Sequence, residues 1–169
     1  DYRSSRGLGD VYKRQMARTP DLKTAPRGEL RKLIEERSFG DQTLDGEVER
    51  SIKIFKILAS PSSEIDEEKF EKEVIKNFNR SSNTEGFSRQ LIAILADKDR
   101  YDEVQRITTP TLVIHGKLDP LIPYEEGKKT AELIPNSEFL GVDFMSHLID
   151  KPVLDYIETP MVKFLDKNS

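Results

Sequence analysis

"TPTLVIHGKLDPLIP", residues 109–123, is the stretch around which the rest of the chain is read. Its first half is a continuous apolar run between Pro110 and Gly116, the pattern of a strand buried on both faces of a parallel sheet. Its second half breaks at Gly116 and at Asp119-Pro120 into a turn. Downstream, "PYEEGKKTAELIP" (123–135) predicts a helix with Ala131, Leu133 and Ile134 turned to a sheet. "SEFLGVD" (137–143) predicts a second, less regular strand. "PVLDYIETPMVKFLDK" (152–167) predicts a closing helix, interrupted or kinked at Pro160. Residues 107–169 therefore form one βαβ unit with a trailing helix. Two strands alone leave unpaired edges, so further strands are expected to complete the sheet.

Parallel strands place their C-terminal ends on one edge, where the sites of α/β proteins collect. Asp119 and His147 each fall just past such an end, so their side chains are expected to meet. Each has a simpler reading: Asp before Pro is a common turn residue, and a histidine alone is more often a surface or core group. The other histidine, His115, sits inside the strand and is expected to be structural; Phe144 and Met145 are expected in the core or a pocket wall.

Upstream the pattern is different. Residues 16–29 read as a loop, and "GELRKLIEER" (28–37) places Leu30, Leu33 and Ile34 on one helical face, with Pro26 at the entry. "SFGDQTLDG" (38–46) reads as loop, and the next helix, near 46–59, carries Val48, Ile52 and Phe55. In "SPSSEID" (60–66), Ser63 followed by Asp66 resembles a capping box that opens a helix bearing Phe70, Val74 and Phe78. A further helix over 84–96 aligns Phe87, Leu91, Ile94 and Leu95, and "DRYDEVQRI" (99–107) reads as a turn. Residues 16–106 are thus a loop and a helical block without a strand.

The first fifteen residues, "DYRSSRGLGDVYKRQ", carry no apolar segment of the secretory kind. Residues 5–15 reverse-translate into a transposon-based sequencing adapter, so 1–15 are expected to be an adapter artefact, disordered and outside the fold. They hold Arg3, Arg6, Lys13 and Arg14 against Asp1 and Asp10, a net +2, which leaves the remainder of the −4 chain at −6. If adapter sequence abuts Gln15, the gene was cut there, and the chain is expected to be the back part of a longer protein.

The totals narrow the partners. An acidic chain of 169 residues without a basic stripe is not expected to bind nucleic acid. The longest apolar runs, "TLVI" and "LIAILA", are too short to span a bilayer, so no membrane association is expected. With no cysteine and only two histidines, neither a disulfide nor a zinc site is expected, and a cytoplasmic location is. The pattern sets no oligomeric state.

The segments "PTLVIHGKLDPLIP" and "GKKTAELIPNSEFL", followed by a histidine after the next strand, resemble the C-terminal end of an α/β-hydrolase. Through "RQLIAILADKDRYDEVQRITTPTLVIHG" the chain is also similar to the esterases grouped around aclacinomycin methylesterase. The likeness covers about 84–149. It implies an α/β fold in fragment: the helical cap (within 16–106) and the last two parallel strands with their helices (107–169), the N-terminal core strands missing. It implies that Asp119 is the triad acid and His147 the general base, with no metal or organic cofactor and an ester-like small-molecule substrate. One departure stands out: the family's glycine-flanked "GMGH" is "FMSH" here, and its polar "DLP" is "LID". Glycine admits positive φ and phenylalanine resists it, so a different backbone is expected before His147.

Such a hydrolase needs a Gly-x-Ser-x-Gly elbow between a strand and a helix. "SSRGLG", "PSSEID" and "RSSNTEG" are the serine-bearing candidates, and none follows a strand. The nucleophile is therefore expected outside this chain, which by itself is expected to be inactive. The leading expectation is a fragment of a carboxylic-ester hydrolase with a Ser-His-Asp triad. The alternatives are another chemistry on the same scaffold (dehalogenase, epoxide or C–C hydrolase), or a non-enzymatic binding module.

Overall fold

A computed structural model describes residues 26, 28–39, 43–80, 86, 89, 92 and 101–169. The expected N-terminal adapter segment lies outside the described residues, as do most positions of the helix expected over 84–96.

The helical region begins with α1 (Gly28–Phe39), α2 (Leu44–Leu58) and α3 (Glu67–Arg80). Gly28 enters α1 at φ +62, a left-handed angle that glycine adopts without a Cβ penalty. Leu30 and Leu33, one turn apart, are buried as their spacing predicts. Arg37 reaches across to Glu47 of α2 at 2.7 Å and helps hold the first two helices together. The loop between them is shorter than expected, because Thr43 starts α2 early: its Oγ1 accepts the Gly46 N–H at 3.3 Å. Phe55 of α2 stacks on Phe70 of α3 with ring centroids 4.3 Å apart. α3 buries no residue fully, and its charged side is solvated, Lys72 pairing with Glu68 one turn away.

The capping box expected at Ser63 and Asp66 is not what forms. Asp66 caps α3 alone, its Oδ1 accepting the Lys69 N–H at 2.9 Å. Ser63 instead donates its hydroxyl to Asp150, at the far end of the chain. The turn expected at 99–107 contains a short helix, α4 (Tyr101–Gln105).

The βα region follows as β1 (Thr111–Gly116), α5 (Tyr124–Leu133), β2 (Ser137–Val142) and α6 (Lys151–Lys167). β1 and β2 pair in parallel, Thr111 opposite Ser137 through to Gly116 opposite Val142. The crossover helix α5 packs on both strands, burying Ala131 and, at its cap, Ile134. Gly127 of α5 lies so close to β1 that a Cβ there would stand 2.4 Å from the His115 ring. The core joins β2 to α6: Val142, Met145, Val153 and Ile157 are buried together, with Ile114, Leu140 and Phe144 packed around them.

Two expectations are corrected here. β1 is only half-buried over Thr111–Ile114, and full burial begins at His115, because among the described residues the sheet has two strands and each has a neighbour on one side only. α6 runs uninterrupted through Pro160. A proline removes one N–H from the ladder, and the turns before it are anchored by buried Val153 and Ile157. Leu154, Met161, Val162 and Leu165 of α6 are exposed, and Tyr156, half-exposed on the other flank, meets the Phe144 ring edge-on at 5.4 Å.

Candidate active site

Beyond β1, the chain turns at once because Gly116 leaves no room for a side chain. A Cβ there would meet the Met145 carbonyl oxygen at 2.2 Å. The Lys117 N–H donates to Val142 O and the Leu118 N–H to Met145 O, each at 3.0 Å, so the two post-strand loops run together. The sequence separates Asp119 and His147 by 28 residues, and this pairing of loops closes the gap.

Asp119 is fixed by its own turn. Its Oδ1 accepts the backbone N–H groups of Leu121 (2.8 Å) and Ile122 (2.9 Å). Its Oδ2 receives the His147 Nδ1–H at 2.9 Å. The carboxylate is 4% exposed and the imidazole 10%, so water competes little for this bond. Burial is the largest single influence on the Asp119 carboxyl and opposes its charge. The bond from His147, the two turn amides and the nearby imidazole charge together outweigh burial and hold the carboxyl below its usual range.

An ionised carboxylate can only accept, so the proton on this bond belongs to Nδ1 of His147. That assignment leaves Nε2 of the neutral ring as a lone-pair acceptor, the form a general base requires. Among the described residues, no serine hydroxyl is hydrogen-bonded to the His147 ring.

His147 is also held through its backbone. Its N–H and that of Leu148 both donate to the carbonyl of Leu58, at 3.0 and 3.2 Å. The preceding N–H, of Ser146, donates to the hydroxyl of Ser60 at 3.1 Å.

His115, expected to be structural, lies beside the pair. Its Nε2 is 3.0 Å from the Ile122 carbonyl, which only accepts, so this nitrogen carries the proton. The same nitrogen is 3.6 Å from Asp119 Oδ2. His115 thus ties the ends of the Asp119 turn, a role that its place inside an apolar strand did not announce. The partners on α2 were missed as well: Leu58 acts through its carbonyl, and Ser60 looked like loop punctuation. Phe144 and Met145 belong to the core, as expected.

Among the described residues, no group of three or more His, Asp or Glu side chains is disposed to hold a metal ion. No described helix is long and apolar enough to cross a membrane. The shallow groove bounded by Leu154, Glu158 and Leu165 lies on α6, not at the Asp119–His147 pair.

No family profile matches the chain. A 56-residue stretch is 38% identical to the pimeloyl-[acyl-carrier protein] methyl ester esterase of Vibrio cholerae, covering 33% of this chain and 22% of that protein. A 75-residue stretch is 27% identical to a bifunctional esterase/perhydrolase of Acinetobacter calcoaceticus, covering 44% of this chain and 27% of the relative. Among solved structures, an esterase from Exiguobacterium antarcticum aligns with TM-score 0.60 and 20% identity, over 82% of this chain and 47% of that one. A meta-cleavage product hydrolase from Pseudomonas fluorescens IP01 aligns with TM-score 0.60 and 17% identity, over 75% and 47% of the two chains. The chain spans about half the length of these structures. These likenesses relate the chain to the α/β-hydrolase superfamily, and its two parallel strands with their helices match the C-terminal portion of that fold.

Proposed function

We propose that the whole protein is a serine-dependent hydrolase of carboxylic esters and that this chain supplies the acid and the base of its triad. The 2.9 Å bond from His147 Nδ1 to Asp119 Oδ2 carries the reading. In this mechanism Asp119 holds the imidazole in the tautomer with Nδ1 protonated and stabilises the imidazolium that forms. His147 Nε2 takes the proton of the serine hydroxyl as the oxygen attacks the ester carbonyl. It then returns that proton to the departing alkoxide, leaving an acyl-serine. Water, deprotonated by the same nitrogen, then attacks the acyl carbon, and the nitrogen returns that proton to the serine oxygen as the acid leaves. The serine and the oxyanion-binding N–H groups belong to a segment outside this chain, with α1–α4 contributing to a cap over the site.

An ester is favoured over a carbon–halogen or carbon–carbon substrate because the two sequence relatives described above are esterases by name. The reading is tested on two fronts. A fluorophosphonate probe is expected to leave this chain unlabelled, and a labelled serine within it would overturn the assignment of the nucleophile elsewhere. The DNA upstream of codon 16 is expected to continue in frame and encode a strand–Ser–helix elbow. An aspartate at that elbow would replace the esterase by another chemistry, and a promoter with initiation at Met16 would end the hydrolase reading.

A further inference from the structure

The departure "FMSH" from the glycine-flanked family pattern has a structural counterpart. Ser146 is 3% exposed and its partner Ser60 is 4% exposed. The Ser146 N–H donates to Ser60 Oγ at 3.1 Å, and the Ser146 hydroxyl lies 3.4 Å from the Leu118 carbonyl. Ser60 belongs to the segment that leads out of α2, 86 residues earlier in the chain. Two further links connect that segment with the loop around His147. The Leu58 carbonyl, at the C-terminal end of α2, is a helix-end acceptor without a partner inside the helix. It receives the N–H groups of both His147 and Leu148. Ser63 donates to Asp150, whose other oxygen caps α6 by accepting the Val153 N–H at 3.0 Å. The three links bracket His147 at positions 146, 147–148 and 150.

We propose that residues 58–63 are the positioning element for the base His147, and that Ser60 is its deciding side chain. The proposal rests on the reading of Asp119 and His147 as an acid–base pair. Its physical basis is that the loop carrying His147 has little regular structure of its own. One flank is fixed by the Asp119 turn, through Leu118 and the Asp119–His147 bond. The other is fixed by 58–63. Ser60 does not touch the reacting atoms; it sets the backbone from which the imidazole projects. Because 58–63 directly continues α2, displacement of the helical region would be passed to the base through backbone bonds.

With only two histidines in the chain, both ring protons can be followed separately by NMR in the full 169-residue protein. Ser60→Ala is expected to raise amide hydrogen exchange at Ser146 by about fivefold or more, the loss of roughly one hydrogen bond. It is expected to broaden or abolish the downfield Nδ1 proton of His147 and to leave the Nε2 proton of His115 in place. Ser60→Thr, which keeps a hydroxyl acceptor, is expected to restore both signals. If Ser60→Ala does not fold, Ser63→Ala cuts only the outer link and is expected to weaken the His147 ring signal to a lesser degree. An unchanged His147 ring proton in the folded variant overturns the proposal. So does a loss that Ser60→Thr fails to rescue. Failure of the hydrolase reading would emerge separately, from the probe and the upstream DNA, and would leave these proton signals as they are.

Discussion

The two regions of this molecule are built by different means. The βα region, 111–169, has a contiguous apolar core in which Val142, Val153 and Ile157 are at most 1% exposed. The helical region up to Arg80 buries Leu30 and Leu33 but also Arg50, Ser51 and Ser60, while α3 buries nothing completely. The first is held by apolar area removed from water; the second has less fully buried apolar area, with caps and the Phe55–Phe70 stack beside it. The candidate site lies where the two meet. The core sets the ends of the strands, and polar bonds from 58–63 reach the loop that carries His147.

That contrast can be broken most directly in the core. Ile157→Ala is expected to destabilise the chain by about 2–5 kcal/mol. Phe78→Ala, on half-buried α3, should cost clearly less than the roughly 3–5 kcal/mol typical of a buried phenylalanine. Urea titrations of both variants check the difference, and equal losses would mean that the two regions share one core.

The next effect is at the site. Asp119→Asn removes a charge-assisted bond of about 1.5–3 kcal/mol at neutral pH. The Asp119 carboxyl is held below its ordinary 3.8, so its contribution is fully present above that value and is lost as pH falls through the lower folded value. The variant should therefore show a flatter decline of stability below about pH 4. Denaturation midpoints measured across the acid range test this, and parallel pH curves would contradict it. The smallest effect belongs to a single cap. Thr43→Ala is expected to cost about 1 kcal/mol through loss of the bond to Gly46. Thermal melts monitored at α2 would detect it, and a shift as large as that of Ile157→Ala would show that the helical region is more cooperative than its packing implies.

Much of this was legible in the residues. Pro110, the apolar run and Gly116 delimit β1 because an apolar strand and a tight exit need those types in that order, although the strand is half-buried over its first four residues. Asp119 and His147 were placed past parallel strand ends, and there they meet. The misreadings share a cause. Ser63 matched a local capping motif, yet its hydroxyl is claimed by Asp150, which is adjacent only in space. Pro160 satisfied a local rule for a break, yet α6 continues through it as one helix.

By itself, then, the sequence determined the elements that depend on neighbours along the chain: apolar periodicity, the Gly116 exit and the Asp119 turn. Tertiary structure alone decided which groups complete the site. The Leu58 carbonyl and the Ser60 hydroxyl act through bonds between segments distant in sequence, while His115 closes the Asp119 turn from seven residues away. A backbone carbonyl leaves no mark in residue type, and a serine in a loop looks the same whether it faces water or accepts a backbone N–H beside His147.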